Sequence, residues 1–144
     1  MEKMLNIKEF QPYLTDILAR FPVGMAYLYG SYAKGIQNQD SDIDIALVLK
    51  DSQSPFKTLK IEMRVGALLD KKFQPEFDIR CINNAPLRVK GEILSSGRLI
   101  YCSDEDFRIS FETFVRARYF DFLPAILSMR RVYFMSIKSG GLIG

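Results

Sequence analysis

Apolar and polar positions alternate with two different periods along the chain, and the switches between them mark out the elements. Between residues 7 and 20 the apolar side chains fall at Ile7, Phe10, Leu14, Ile17 and Leu18. That is the spacing of a helix with one buried face, and Pro22 closes it. Residues 23–29 form an uninterrupted apolar run, read as a buried strand that stops at Gly30-Ser31 and enters a short helical turn. Residues 35–41 are polar and turn-like. Residues 42–49 alternate at first and then become wholly apolar, a second strand. Phe56, Leu59, Met63, Gly66, Ala67 and Asp70 give a helix whose small residues suit close packing. Residues 76–82 alternate with period two, a third strand. Residues 86–96 read as a helix with Pro86 near its first turn and Gly97 just past its end, and residues 98–102 as a fourth strand.

From Asp104 onward the pattern is helical again. Ser103 is the expected N-cap, and Asp104, Glu105 and Asp106 suit the positive end of the helix dipole. Pro124 is expected to kink or split this segment, and residues 139–144 to fray. Helices and strands therefore alternate from end to end. That order predicts an α/β (α+β) domain around a small sheet of mixed direction. No repeat, low-complexity tract or long linker interrupts it. The expectation is one domain over residues 1–144, with a core at about 22–102 and a C-terminal helical segment at 103–138.

Composition narrows the chemistry. With 144 residues, 48% apolar and 26% charged, the chain is long enough for a real core. Twenty basic against 17 acidic side chains leave a net charge of +3 with no run of five like charges. Nucleic acid is therefore not the expected direct partner. The N-terminal residues lack the apolar core of a signal peptide, and no apolar stretch nears the ~20 residues of a membrane span. Cys81 and Cys102 sit in apolar stretches and are read as reduced thiols, as in a cytoplasmic protein. The chain has no histidine. That excludes Ser-His-Asp and Cys-His catalysis and imidazole-held zinc, and leaves carboxylates, hydroxyls, lysines or a hard metal ion.

The informative residues are Gly30-Ser31 and, ten residues later, Asp42-Ile43-Asp44. In a strand, Asp42 and Asp44 share one face while Ile43 and Ile45 turn to the core. Paired carboxylates repel unless a cation sits between them, and hard oxygen donors suit Mg²⁺ or Mn²⁺; a solvated strand edge is the plainer alternative. Gly30-Ser31 at a strand-to-helix turn offers backbone N–H groups and a hydroxyl to a phosphate, and Lys34 adds positive charge one turn on. The competing role for Ser31 is a simple N-cap. Two-metal phosphoryl transfer calls for a third carboxylate. Asp78, central in the third strand, is the first candidate. Glu76 and Arg80 share its face by parity, so Glu76 is the rival ligand, and a salt bridge to a lysine or arginine is Asp78's structural alternative.

Gly30-Ser31, Asp42-Ile43-Asp44 and Asp78 together resemble the signature of the DNA polymerase β nucleotidyltransferase superfamily. More narrowly, the motif, the size and the aromatic tail at 111–124 resemble the minimal nucleotidyltransferase antitoxins of HEPN/MNT toxin–antitoxin pairs. The resemblance spans about residues 24–124. It implies that Gly30 and Ser31 bind a triphosphate, that Asp42 and Asp44 hold both of two Mg²⁺ ions, and that Asp78 is the third ligand. It further implies ATP as substrate and transfer of AMP to a tyrosine of a HEPN toxin encoded nearby, which silences it. Two other functions stay open: transfer to a small-molecule (antibiotic) hydroxyl, and an antitoxin that docks without catalysis. Phe107, Phe111, Phe114, Tyr119, Phe120 and Phe122 exceed what one helix side needs for a core. Aromatics at helical spacing are more often core than interface, yet the surplus leaves some residue of the segment to dock a partner, as a hetero-oligomer, or a second copy, as a homo-oligomer.

Overall fold

Strand β1 (Val23–Tyr29) is central, and every residue from Val23 to Leu28 is buried. Elements follow in the order α1 (Ile7–Leu18), β1, α2 (Gly30–Lys34), β2 (Ile43–Leu49), α3 (Pro55–Asp70), β3 (Phe77–Cys81), α4 (Leu87–Ser96), β4 (Arg98–Cys102) and α5 (Glu105–Lys138). The computed structural model describes residues 5–37 and 41–138, so the expected frayed tail lies outside the described residues. The sheet runs β3-β2-β1-β4. β1 pairs antiparallel with β2 and with β4, while β2 and β3 are parallel. This is the mixed sheet the alternating pattern predicts.

Side-chain parity sends the two sheet faces to different cores. Ile43, Ile45, Leu47 and Leu49 pack with Phe10, Leu14 and Leu18 of α1 and Val65 and Leu69 of α3. Ala46 and Val48 face the other way and join Met25 and Tyr27 of β1, Ile93 and Leu94 of α4, and Val115 of α5. β3 is an edge strand, and its outward Cys81 N–H is satisfied by Glu62 Oε2 of α3 at 2.9 Å. Capping that group side-on leaves one fewer backbone donor exposed at the edge.

Three local expectations are corrected. The side chain that caps α5 is Asp104, whose Oδ1 accepts from the Phe107 N–H at 3.0 Å. Ser103 is drawn away instead: its Oγ donates to the Val23 carbonyl at 2.7 Å, and its N–H to the Gly24 carbonyl at 2.9 Å. Of the two outcomes expected at Pro124, a kink or a split, the split is the one overturned, since α5 runs unbroken through it for 34 residues. A proline deletes one helical hydrogen bond, and here the carbonyl it releases belongs to Phe120 in the exposed part of the helix, where water can satisfy it. Close helix packing occurs at Gly91 rather than on α3. A Cβ at Gly91 would fall on the Tyr119 ring, whereas one at Gly66 would make only ordinary contact with Ile79 at 3.8 Å.

α5 is tied to the body along its first half, where Val115 joins the core beside Ile93 and Leu94 and Tyr119 packs on Gly91. Tyr27 Oη donates to Glu112 Oε1 at 2.9 Å, and Arg108 bridges Glu105 at 2.6 Å and Glu112 at 2.7 Å. Burial, then the bond to Glu112, pushes the Tyr27 phenol well above its ordinary value. Farther along, Phe120, Phe122, Leu127, Met129, Val132 and Met135 are all more than half exposed.

Candidate active site

The chain leaves β1 at Tyr29 and turns at Gly30, whose φ of 71° lies in the left-handed region that glycine tolerates without strain. A second constraint acts on the same residue: a Cβ there would fall on Asp44 Oδ2. The turn is thus pressed against the first carboxylate of the strand beside it. Ser31 follows inside α2, and its carbonyl accepts the N–H of Ile36 at 3.1 Å. Tyr29, not Ser31, is the N-cap of α2 and makes no side-chain cap bond, so the simple capping role for Ser31 does not apply. Lys34 is exposed at the end of α2. With Tyr29, Gly30, Arg80, Val89 and Ile93 it lines a cleft of about 530 Å³ between the turn and α4.

Asp44 is the second residue of β2 and lies in register with Tyr29 on one side and Asp78 on the other. Adjacent strands run about 4.8 Å apart, so two carboxylates of the same parity stand side by side. Asp42 sits just before the strand, which begins at Ile43, yet its charge still reaches Asp44. The Asp44 carboxyl is held above its ordinary value by partial burial, then by the charges of Asp78 and Asp42, with Arg80 pulling it down. A raised carboxylate among carboxylates is the electrostatic mark of a place that favours positive charge.

Two neighbours complete the picture. Tyr29 has its phenol raised by burial and by Asp44 and Asp78. Arg80 directs its Nε at both Asp78 oxygens, 3.3 and 3.2 Å away. Glu76, the rival third ligand, precedes β3 and ties it to β2 through its carbonyl, which accepts the Ile43 N–H at 2.8 Å. Strand parity had put Arg80 on the face of Asp78, and the salt bridge to an arginine that was the structural alternative for Asp78 is present; the position of Tyr29 opposite Asp44 emerges only from the register. Among the described residues, no three Asp, Glu, Cys or His side chains are already closed into a cation cage. The donor set still fits a divalent ion: hard carboxylate oxygens on neighbouring strands, mutually repelling and partly desolvated.

A mixed four-stranded sheet carrying such carboxylates beside a glycine turn is the pattern of a nucleotidyltransferase. The family model described as polymerase beta, nucleotidyltransferase matches residues 13–106, and the chain belongs to that family. Among its relatives is the protein adenylyltransferase MntA of Shewanella oneidensis, 24% identical over 82 residues, a match covering 57% of this chain and 56% of the relative. The chain therefore matches little more than half the length of that protein. Two solved structures share the fold. One is a toxin–antitoxin with AMP-PNP, at TM-score 0.55 and 19% identity, covering 81% of this chain and 98% of the other. The second is a tri-AMPylated Shewanella oneidensis HEPN toxin in complex with MNT antitoxin, at TM-score 0.52 and 16% identity, covering 85% and 99%.

Proposed function

We propose that the chain is a protein adenylyltransferase that moves AMP from ATP onto a tyrosine of a HEPN toxin and so acts as its antitoxin. The observation that carries this reading is the register of Asp44 with Asp78, flanked by Asp42 and backed by the Gly30 turn. The relative's name, protein adenylyltransferase, and the AMP-PNP and tri-AMPylated complexes that share the fold support it. The exposed apolar stretch of α5 supplies surface on which a protein partner can dock. The same reading puts the chain in the cytoplasm, in keeping with the free thiols of Cys81 and Cys102.

In this mechanism Asp42, Asp44 and Asp78 hold two divalent cations, Mg²⁺ or Mn²⁺. When bound, these neutralise the triphosphate and stabilise charge on the attacking and leaving oxygens. Gly30 lets the triphosphate approach the backbone closely, Ser31 offers N–H and hydroxyl donors, and Lys34 adds positive charge in the adjoining cleft. The tyrosine oxygen attacks the α-phosphorus in line. A new O–P bond forms as the bond to the β-phosphate oxygen breaks, and pyrophosphate leaves with that electron pair. The phenol has a pKa near 10 in water, so its proton needs an acceptor, and the Asp78 carboxylate takes it.

Intact-mass spectrometry of the HEPN partner tests this reading. After incubation with the chain, Mg²⁺ and ATP, the partner should gain one or more AMP units. A stable complex that silences the toxin with no added mass would favour docking without catalysis. Neither mass nor complex, with AMP appearing on a small hydroxyl compound, would redirect the acceptor.

A further inference from the structure

We propose that Arg80 is a positioning residue that occupies Asp78 while the site is unloaded and turns to the nucleotide phosphates when cations take the carboxylate. The proposal rests on the nucleotidyltransferase reading above and assigns a part to a residue outside the carboxylate and glycine motif. Arg80 follows Asp78 by two residues on β3, so both side chains leave the same face of the strand. One guanidinium nitrogen, Nε, lies at 3.3 and 3.2 Å from the two Asp78 oxygens. Those are the lone pairs that a divalent ion would need, so the arginine and an ion compete for one carboxylate.

The pair is built to open. Arg80 is 68% exposed and Asp78 40%, and an ion pair this open to water is weak enough for a divalent cation to displace. Once released, the guanidinium has a nearby destination, because Arg80 lines the same cleft as Gly30 and Lys34. A planar fork of N–H donors matches phosphate oxygens in pairs, which a lysine cannot do. Arg80 therefore offsets carboxylate repulsion before loading and triphosphate charge after it, with one charge serving two states.

The two halves predict opposite changes in one variant. In nucleotide-free full-length protein, Arg80→Gln should bind Mn²⁺ about three- to fivefold tighter, read as loss of the free-Mn²⁺ paramagnetic resonance signal, since the competitor of an exposed pair is gone. The same variant should bind AMP-PNP with Mg²⁺ about tenfold more weakly by calorimetry, the scale of a charge-assisted bond. Arg80→Lys, which keeps the charge without the fork, should stay near wild type for Mn²⁺ and fall between the two for AMP-PNP. Arg80→Gln with Mn²⁺ affinity unchanged or weakened overturns the proposal, as does unchanged AMP-PNP affinity. If wild-type Mn²⁺ binding disappears in Asp42→Asn/Asp44→Asn while Arg80→Gln has no effect, the site reading stands and only the arginine's role falls. If Mn²⁺ binding ignores the aspartates, the site reading falls and takes the proposal with it.

Discussion

Strand β2 shows two faces of one sheet put to different uses. On the α1–α3 side, Ile43, Ile45 and Leu47 are fully buried in an unbroken apolar layer. On the opposite side the even positions change character along the strand: Ala46 and Val48 are as buried as their neighbours, covered by α4 and α5, while Asp44 is half-buried at the uncovered end. A period of two lets seven residues do both jobs, because a change on one face leaves the other face's packing intact. The closed face carries stability. The open corner of the other face carries like charges that burial alone would never favour.

Changes on the open face should therefore abolish activity and spare the fold. Asp42→Ala with Asp44→Ala is expected to cut AMP transfer by about a thousandfold or more, the scale on which removing charge-stabilising groups acts, with cooperative thermal unfolding retained. Full activity in the folded variant would break the division of labour. The reverse experiment is Leu47→Ala, on the same strand but the closed face. It should cost about 2–5 kcal/mol by denaturant unfolding, with the specific activity of the surviving folded fraction near wild type.

Gly30→Ala touches both regimes, since it forces a side chain into left-handed backbone and against Asp44. A loss of about 1–3 kcal/mol is expected, accompanied by weaker AMP-PNP binding. Tyr27→Phe removes the bond from β1 to Glu112 of α5 and should cost about 1 kcal/mol without changing transfer. The smallest effect is a pH signature. Because the folded state holds the Asp44 carboxyl above its ordinary value of 3.8, the folded chain keeps a proton that the unfolded chain has lost. This contribution destabilises the metal-free protein as pH rises from that value through the raised one. Asp44→Asn should raise Tm by a few degrees at neutral pH, and the gain should vanish below pH 3.8.

The closed face was the more legible of the two. Hydrophobic period located the four strands and the four longer helices in order, because each buries a stripe or face that the sequence has to spell out, while the short α2 was read from the Gly30-Ser31 turn. One strand end and one cap moved from their expected places. Asp42 falls outside β2, and Ser103 is taken by the Val23 carbonyl, which leaves the capping to Asp104. Proline's penalty at position 124 depends on whether water can reach the freed carbonyl, and one-dimensional spacing does not say. On the open face, parity brought Asp78 and Arg80 together, yet the pairing of Asp78 with Asp44 needed the parallel register of β2 and β3. Strand order is set by how connections cross the sheet, and residue periodicity carries no record of it. The surplus aromatics of α5 already marked part of that segment as free to dock, but which of its residues stay exposed was hidden, since an apolar helix reads the same whether it packs inside its own domain or waits for a partner.

The most direct test of the central claim, that the open face of β2 and β3 is the transfer site, is an anomalous difference map of the chain crystallised with Mn²⁺ and AMP-PNP. The account predicts manganese peaks bounded by the carboxylates of Asp42, Asp44 and Asp78, with the triphosphate running toward Gly30 and Ser31. Manganese held by other residues, or a nucleotide bound away from this corner while these three carboxylates stay empty, would contradict it.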